Sequence, residues 1–250
     1  MQFLTAKCFQ NKALTFNFIL GTLFTCTLFS PISIASITQL QAYNAEYDII
    51  RKGERHGVAY RKFSKQDNTC NLSYTSDIKW MIFSDKRREK AKFTCQDTSV
   101  TPQSYAMERK GTGPDRKYTL KFDHEAKKVS SNRSKYPLDV ELTPDVQDLI
   151  SYQVKMRLDL MAGKKEFDYP IIDKKGKSRN YKFEIVGEEM ITLPFGNVKT
   201  VKAKRLYNND KRQAFAWFAP EMDYLLVRMW KGEKGVEQFD VQLKKYTIVE

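Results

Sequence analysis

The chain has 250 residues, with 43 Lys and Arg against 30 Asp and Glu and a formal net charge of +13. Only two histidines and four cysteines are available for acid-base, nucleophilic or metal chemistry, and no H-E-x-x-H, G-x-S-x-G, G-x-x-x-x-G-K or C-x-x-C run occurs. No catalytic residue, metal site or cofactor is therefore expected, although a carboxylate pair built from separate strands leaves no local signature.

Lys7 and Lys12 precede an apolar run from Ala13 to Phe29, and Ser33-Ile34-Ala35 follows as a small-x-small cleavage site. This predicts a secretory signal peptide over residues 1–35, cleaved near Ala35, ahead of a single all-β domain over residues 36–250. The run falls short of the ~20 apolar residues a membrane span needs and is interrupted by Asn17, Gly21, Thr22, Thr25 and Thr27. Cys26 follows Phe24-Thr25, a poor lipidation context. The expected compartment is the periplasm, which holds no ATP and no cytosolic nucleic acid. Without Lys7 and Lys12 the charge is still +11. The polyanions available there are lipopolysaccharide and anionic phospholipid. Clusters such as Arg51-Lys52, Lys86-Arg87-Arg88 and Lys174-Lys175 also fit ordinary polar hairpin turns.

From residue 40 onward apolar and polar residues alternate with the period of a strand that has one wet face. Tyr43, Ala45, Tyr47 and Ile49 share one side; Leu72, Tyr74, Ile78, Trp80 and Ile82, then Ala91, Phe93 and Cys95, then Tyr118, Leu120 and Phe122 repeat the pattern. Tyr181, Phe183 and Ile185, and finally Phe239, Val241 and Leu243, carry it almost to the end. Strands of a parallel sheet are apolar on both faces, so this is antiparallel meander patterning. Turn signals at Lys52-Gly53, Ser84-Asp85, Gly111 to Asp115, Lys174 to Gly176, Pro194 to Asn197, Asn208 to Asp210 and Gly232 to Gly235 punctuate it. Cys70 and Cys95, the pair left after cleavage, are expected to form one disulfide in an oxidising compartment.

One segment has helical spacing instead. Thr143-Pro144-Asp145 reads as an N-cap with proline at the first position, and Val146, Leu149, Ile150, Val154, Leu158 and Met161 follow before Gly163. This predicts an amphipathic helix from Pro144 to Met161. The fold class is thus mainly β: a large curved antiparallel sheet, a half-closed barrel, with the helix on its concave side. The candidate lining of a groove there is Tyr47, Tyr74, Trp80, Phe93, Tyr118 and Trp217 from the sheet with Leu149 and Leu158 from the helix. A fully packed core is the other arrangement that this pattern allows. His56 and His124 read as exposed turn histidines.

Three groups of residues carry a family resemblance: Leu142 to Tyr152; Val186-Gly187-Glu188-Glu189 with Leu193-Pro194-Phe195-Gly196; and Ala216 to Glu221 with Tyr224 to Arg228. Together with Tyr43 to Tyr47 and the Gly53 to Gly57 turn, they resemble the exported bacterial family catalogued as domain of unknown function 3108, over roughly residues 40 to 247. The resemblance implies an envelope protein with a curved sheet shaped like that of lipoprotein carriers. It supplies no activity and no site residue.

The expected function is a non-enzymatic periplasmic binding, carrier or chaperone-like protein for a lipid-like or lipopolysaccharide-like amphiphile, with peripheral membrane contact and no nucleic acid. The alternative is an envelope scaffolding protein with a filled core and a protein partner.

Overall fold

A computed structural model of the chain describes residues 40–96, 98–133 and 138–249; the predicted signal peptide and its cleavage site lie outside them. The first half of the described chain is a meander: β1 (Tyr43–Arg51), β2 (Glu54–Gln66), β3 (Thr69–Trp80), β4 (Phe83–Gln96), β5 (Ser99–Gly111), β6 (Arg116–Asp123), β7 (Lys128–Ser131) and β8 (Asp139–Glu141). After the helix α1 (Ser151–Met161) a second meander follows: β9 (Glu166–Ile172), β10 (Ser178–Leu193), β11 (Gly196–Leu206), β12 (Arg212–Ala219), β13 (Leu225–Glu233) and β14 (Val236–Ile248). All fourteen strands belong to one sheet, ordered β8 through β1 and then β14 through β9. The chain therefore starts at the centre, works out to one edge, crosses by way of α1 to the other edge at β9 and returns to the centre, where β14 pairs antiparallel with β1.

So many strands twist and curl rather than lie flat. The sheet is a half-barrel whose edges approach without closing. Gly176, in the β9–β10 turn at one edge, takes φ +72°, and a Cβ there would lie 2.7 Å from Val140 Cγ2 and 2.9 Å from Leu138 Cδ2 at the other. Gln147 spans the same gap: its backbone bonds Pro170 and Ile172 (2.8 and 3.1 Å) and its side-chain amide donates to the Val100 carbonyl (2.8 Å).

The predicted alternation places Tyr43, Ala45, Tyr47, Ile49, Leu72, Ala91, Phe93, Cys95, Tyr118, Leu120 and Phe122 in the core. Three expectations need correction. The helix begins at Ser151, not Pro144, because Asp145 takes φ +60° and Gln147 is bound as a strand residue to Ile171. The helix start is set instead by a turn at Asp148, two residues before the N-cap Ile150: the Asp148 Oδ1 accepts the Ile150 and Ser151 N–H groups, both at 2.8 Å. The helix is also not one-sided. Val154 and Leu158 join the main core while Met156 and Leu160 join a second cluster with Phe167, Tyr169, Phe183 and Phe218. Finally, His56 is no exposed turn residue: it lies in β2 with its side chain 13% exposed, edge-on to the Trp80 ring.

Cys70 and Cys95 are joined, with Cα atoms 5.9 Å apart on the adjacent strands β3 and β4. Both are buried in the main core. Replacing both with serine should lower the unfolding free energy by about 2 to 5 kcal/mol, measured by denaturant titration; a loss under about 1 kcal/mol would show that the bridge adds little to the strand pairing.

Candidate functional site

The core fills only one end of the half-barrel. On β4, Cys95, Phe93 and Ala91 face inward and pack; the next residues of the same parity are Glu89, Arg87 and Asp85. On β5, Tyr105 and Met107 give way to Arg109 in the same manner. Charged side chains on the concave face cannot be packed against α1 without partners, and there the sheet and the helix part. The result is a cavity of about 610 Å³, floored by Leu149 and Ile150 just before α1 and by Tyr152 and Gln153 in its first turn. Its apolar wall comes from Ile49, Ile78, Met107, Leu226, Phe239 and Val241.

The polar wall is a set of phenols and guanidiniums. The Tyr47 hydroxyl donates to the Leu226 carbonyl (2.9 Å), and Arg61 lies against its oxygen. The Tyr105 hydroxyl donates to Glu89 Oε2 (2.6 Å), whose other oxygen takes a 3.4 Å contact from Arg87. Burial pushes the Tyr118 and Tyr152 hydroxyls up to about 12 and raises those of Tyr47 and Tyr105 further, the latter also through Glu89. These phenols stay neutral at any working pH and offer hydrogen bonds, not charge.

Two guanidiniums stand out. Arg61 is 7% exposed, and among the described residues no carboxylate lies within ion-pair distance of it. Arg205 is sandwiched over the Tyr181 and Tyr207 rings at 3.6 and 4.8 Å, and among the described residues its buried Nε has no acceptor and the side chain no carboxylate partner. A buried cation without a counter-charge is costly unless an anion arrives to complete it. At the mouth, the Lys174 ammonium is lowered by burial and by the nearby cations Arg116, Arg133 and Lys175. The concentration of like charge focuses a positive potential on the opening.

Asp148 lies under this floor, fully buried, with Oδ2 lacking a hydrogen-bond partner among the described residues. Burial pushes its carboxyl up to about 6, against the pull of its backbone hydrogen bonds. An acid with a raised folded-state value keeps its proton in the fold while the unfolded chain has lost it, so it removes stability as pH rises. The change should fall between about pH 4 and pH 6 and amount to roughly 3 kcal/mol. Asp148→Asn retains the Oδ1 acceptor, so its stability relative to wild type should climb across that window and level off above it; parallel curves in denaturant titrations would contradict this.

A smaller cavity, about 320 Å³, opens beside the C-terminal part of α1. Its buried Asp159 is held by Lys155 (2.6 Å), Lys164 (2.7 Å) and the Tyr169 hydroxyl (2.9 Å), so its charge is already met.

The family model for proteins of unknown function DUF3108 matches residues 46–235. The chain belongs to that family. No curated protein matches it. Among solved structures, a candidate lipoprotein of Parabacteroides distasonis is 13% identical, covering 84% of this chain and 96% of that one, with a TM-score of 0.33. Aeromonas veronii immune modulator A is 9% identical, covering 77% and 72%, with a TM-score of 0.21. Neither likeness is strong enough to add to what the geometry says.

Of the residues predicted to line a groove, Tyr47, Tyr74, Tyr118 and Leu149 do line the cavity of this DUF3108 member. The other four lie elsewhere. Phe93 and Leu158 are buried in the packed end. Trp217 is also buried, beneath the Arg228 and Lys202 cations with its Nε1–H donating to Glu189 (2.6 Å), and after the bulge that follows it Phe218 is buried too. Trp80 sits past the cavity at the hairpin tip, 41% exposed. The sequence reading missed Arg61, Arg205 and Glu89, each of which stands on the inward parity of its strand. That parity would have found them: Arg61 falls between the inward-facing Ala59 and Phe63, and Glu89 and Arg205 come next after Ala91 and Ala203.

Proposed function

We propose that this DUF3108 protein is an exported, non-enzymatic binding or carrier protein that takes up one anionic amphiphile. Its acyl or other apolar part would lie along Ile49, Ile78, Met107 and Val241, and its acidic group would meet Arg61 and Arg205. The supporting observation is Arg61: a guanidinium 7% exposed and facing a cavity of about 610 Å³ without a carboxylate partner among the described residues. A volume of this order suits a small-molecule ligand. The N-terminal signal-like segment supports export into a compartment rich in such lipids. Native mass spectrometry of protein expressed with its N-terminal segment and purified from the envelope should show a co-purifying acidic amphiphile in roughly one-to-one ratio. Protein that is uniformly bare, and that fails to take up a fluorescent fatty acid in vitro, would overturn the proposal.

A further inference from the structure

The β3–β4 hairpin breaks two local rules at once. Its turn is Met81-Ile82, between the paired residues Trp80 and Phe83. Met81 takes φ +51°, a conformation that two-residue hairpin turns usually give to Gly, Asn or Asp. Both turn residues are then left in solvent, Met81 85% and Ile82 86% exposed, with Phe83 at 50%. The turns at Lys52-Gly53, Asp67-Asn68 and Lys234-Gly235 are polar, as expected. A sequence that forgoes both turn chemistry and burial at one spot is answering to something outside the fold.

The tip is held rigidly. The Trp80 and Phe83 rings stack at 5.9 Å and the Arg51 guanidinium covers Trp80 at 5.0 Å. From the neighbouring strand, the Thr112 N–H donates to the Ser84 carbonyl (2.8 Å) and the Ser84 N–H donates to Thr112 Oγ1 (3.0 Å). Gly111 makes that closeness achievable, since any Cβ there would run into the Ser84 carbonyl oxygen.

Around the apolar tip the balance of charge is positive. Lys79, Lys86, Arg88 and Lys110 lie on this hairpin and the neighbouring strand β5, where of the acids Asp77 pairs with Lys86 (3.3 Å) and Glu108 with Lys110 (3.2 Å). Because the strands alternate in direction, the turns bearing Arg51-Lys52, Lys174-Lys175 and Lys211-Arg212 project from this same end of the sheet. The end that carries the tip is also the end where the cavity opens: Ile78 and Asp85 line the cavity and flank the tip on β3 and β4. At ~3.3 Å per residue, Met81 stands about 10 Å beyond Ile78.

We infer that the Trp80-Met81-Ile82-Phe83 tip inserts into an anionic lipid bilayer, with the surrounding basic turns on its head groups and the cavity mouth facing the membrane. A bilayer fits both halves of the surface, an apolar wedge of interfacial depth and a cationic collar spread over several turns. The inference does not depend on what the cavity holds.

The test is flotation with vesicles of phosphatidylcholine alone or mixed with phosphatidylglycerol, using wild type, the double variant Met81→Asn with Ile82→Gly, and a charge variant Lys79→Gln with Lys86→Gln. Wild type should float with the mixed vesicles, weakly with phosphatidylcholine, and less as salt rises. The Asn-Gly variant should lose about a hundredfold in partitioning while its unfolding midpoint holds or rises, because Asn-Gly suits the turn. The charge variant should lose binding only to the mixed vesicles. Failure of wild type to float, equal flotation of the Asn-Gly variant, or a tip-dependent dimer in light scattering without vesicle binding would each overturn the inference. The Asn-Gly variant leaves every cavity residue in place, so its uptake of a fluorescent fatty acid reports separately on the proposed ligand site.

Discussion

Arg61→Met is expected to stabilise the empty protein while weakening its hold on an anionic amphiphile by about ten- to a hundredfold. The two effects have one cause. Arg61 stands on the inward parity of β2, opposite Ala45, 7% exposed and without a carboxylate among the described residues. In the empty cavity its charge is desolvated with only phenol dipoles around it, and an apolar side chain of similar length removes that cost. With an acidic ligand bound, the same charge makes a hydrogen-bonded ion pair in a poorly hydrated site, where such bonds are strong. Denaturant titrations of lipid-stripped protein and titrations with a fluorescent fatty acid measure the two quantities. Opposite signs support the ligand site; a variant that is less stable and binds as well as wild type would make Arg61 a structural residue.

The second large effect separates the two ends of the half-barrel. Leu158 is 6% exposed among the main core residues, so Leu158→Ala should cost about 2 to 5 kcal/mol. Leu149 precedes α1, is half-buried and lines the cavity. Leu149→Ala should cost less than about 2 kcal/mol, because the space it leaves joins an existing cavity, and should alter uptake of a fluorescent fatty acid. The two side chains would then report on the packed end and the open end independently. Equal losses of stability with unchanged uptake would mean that the helix and sheet are packed throughout.

Much of this architecture was legible in the alternation of residues. Tyr43, Tyr47, Phe93, Tyr118 and Leu120 declare their face because each stands between polar neighbours, and the antiparallel order follows from the wet outer face. The disulfide was legible from the cysteine pair. The helix start was not, because two start signals compete. Thr143-Pro144-Asp145 is the better local pattern, but Gln147 is drawn into a backbone pairing with β9 that lies far along the chain, and the Asp148 carboxylate takes the Ser151 N–H where the helix then begins. The double-sided burial of α1 escaped for a related reason: a curled sheet surrounds the helix, and periodicity reports only one stripe. The cavity was half legible. Tyr47, Tyr74 and Tyr118 marked it, whereas Arg61 and Glu89 read as wet residues until the register put them inside.

The most direct test of the account is a competition titration on lipid-stripped protein, in which a bound fluorescent fatty acid is displaced by a long-chain carboxylate or by the alcohol of equal chain length. A cavity with an unpaired buried guanidinium predicts saturable binding at about one probe per chain and at least about tenfold preference for the carboxylate, with the preference abolished in Arg61→Met. Binding that never saturates, or equal displacement by acid and alcohol in both proteins, would contradict it.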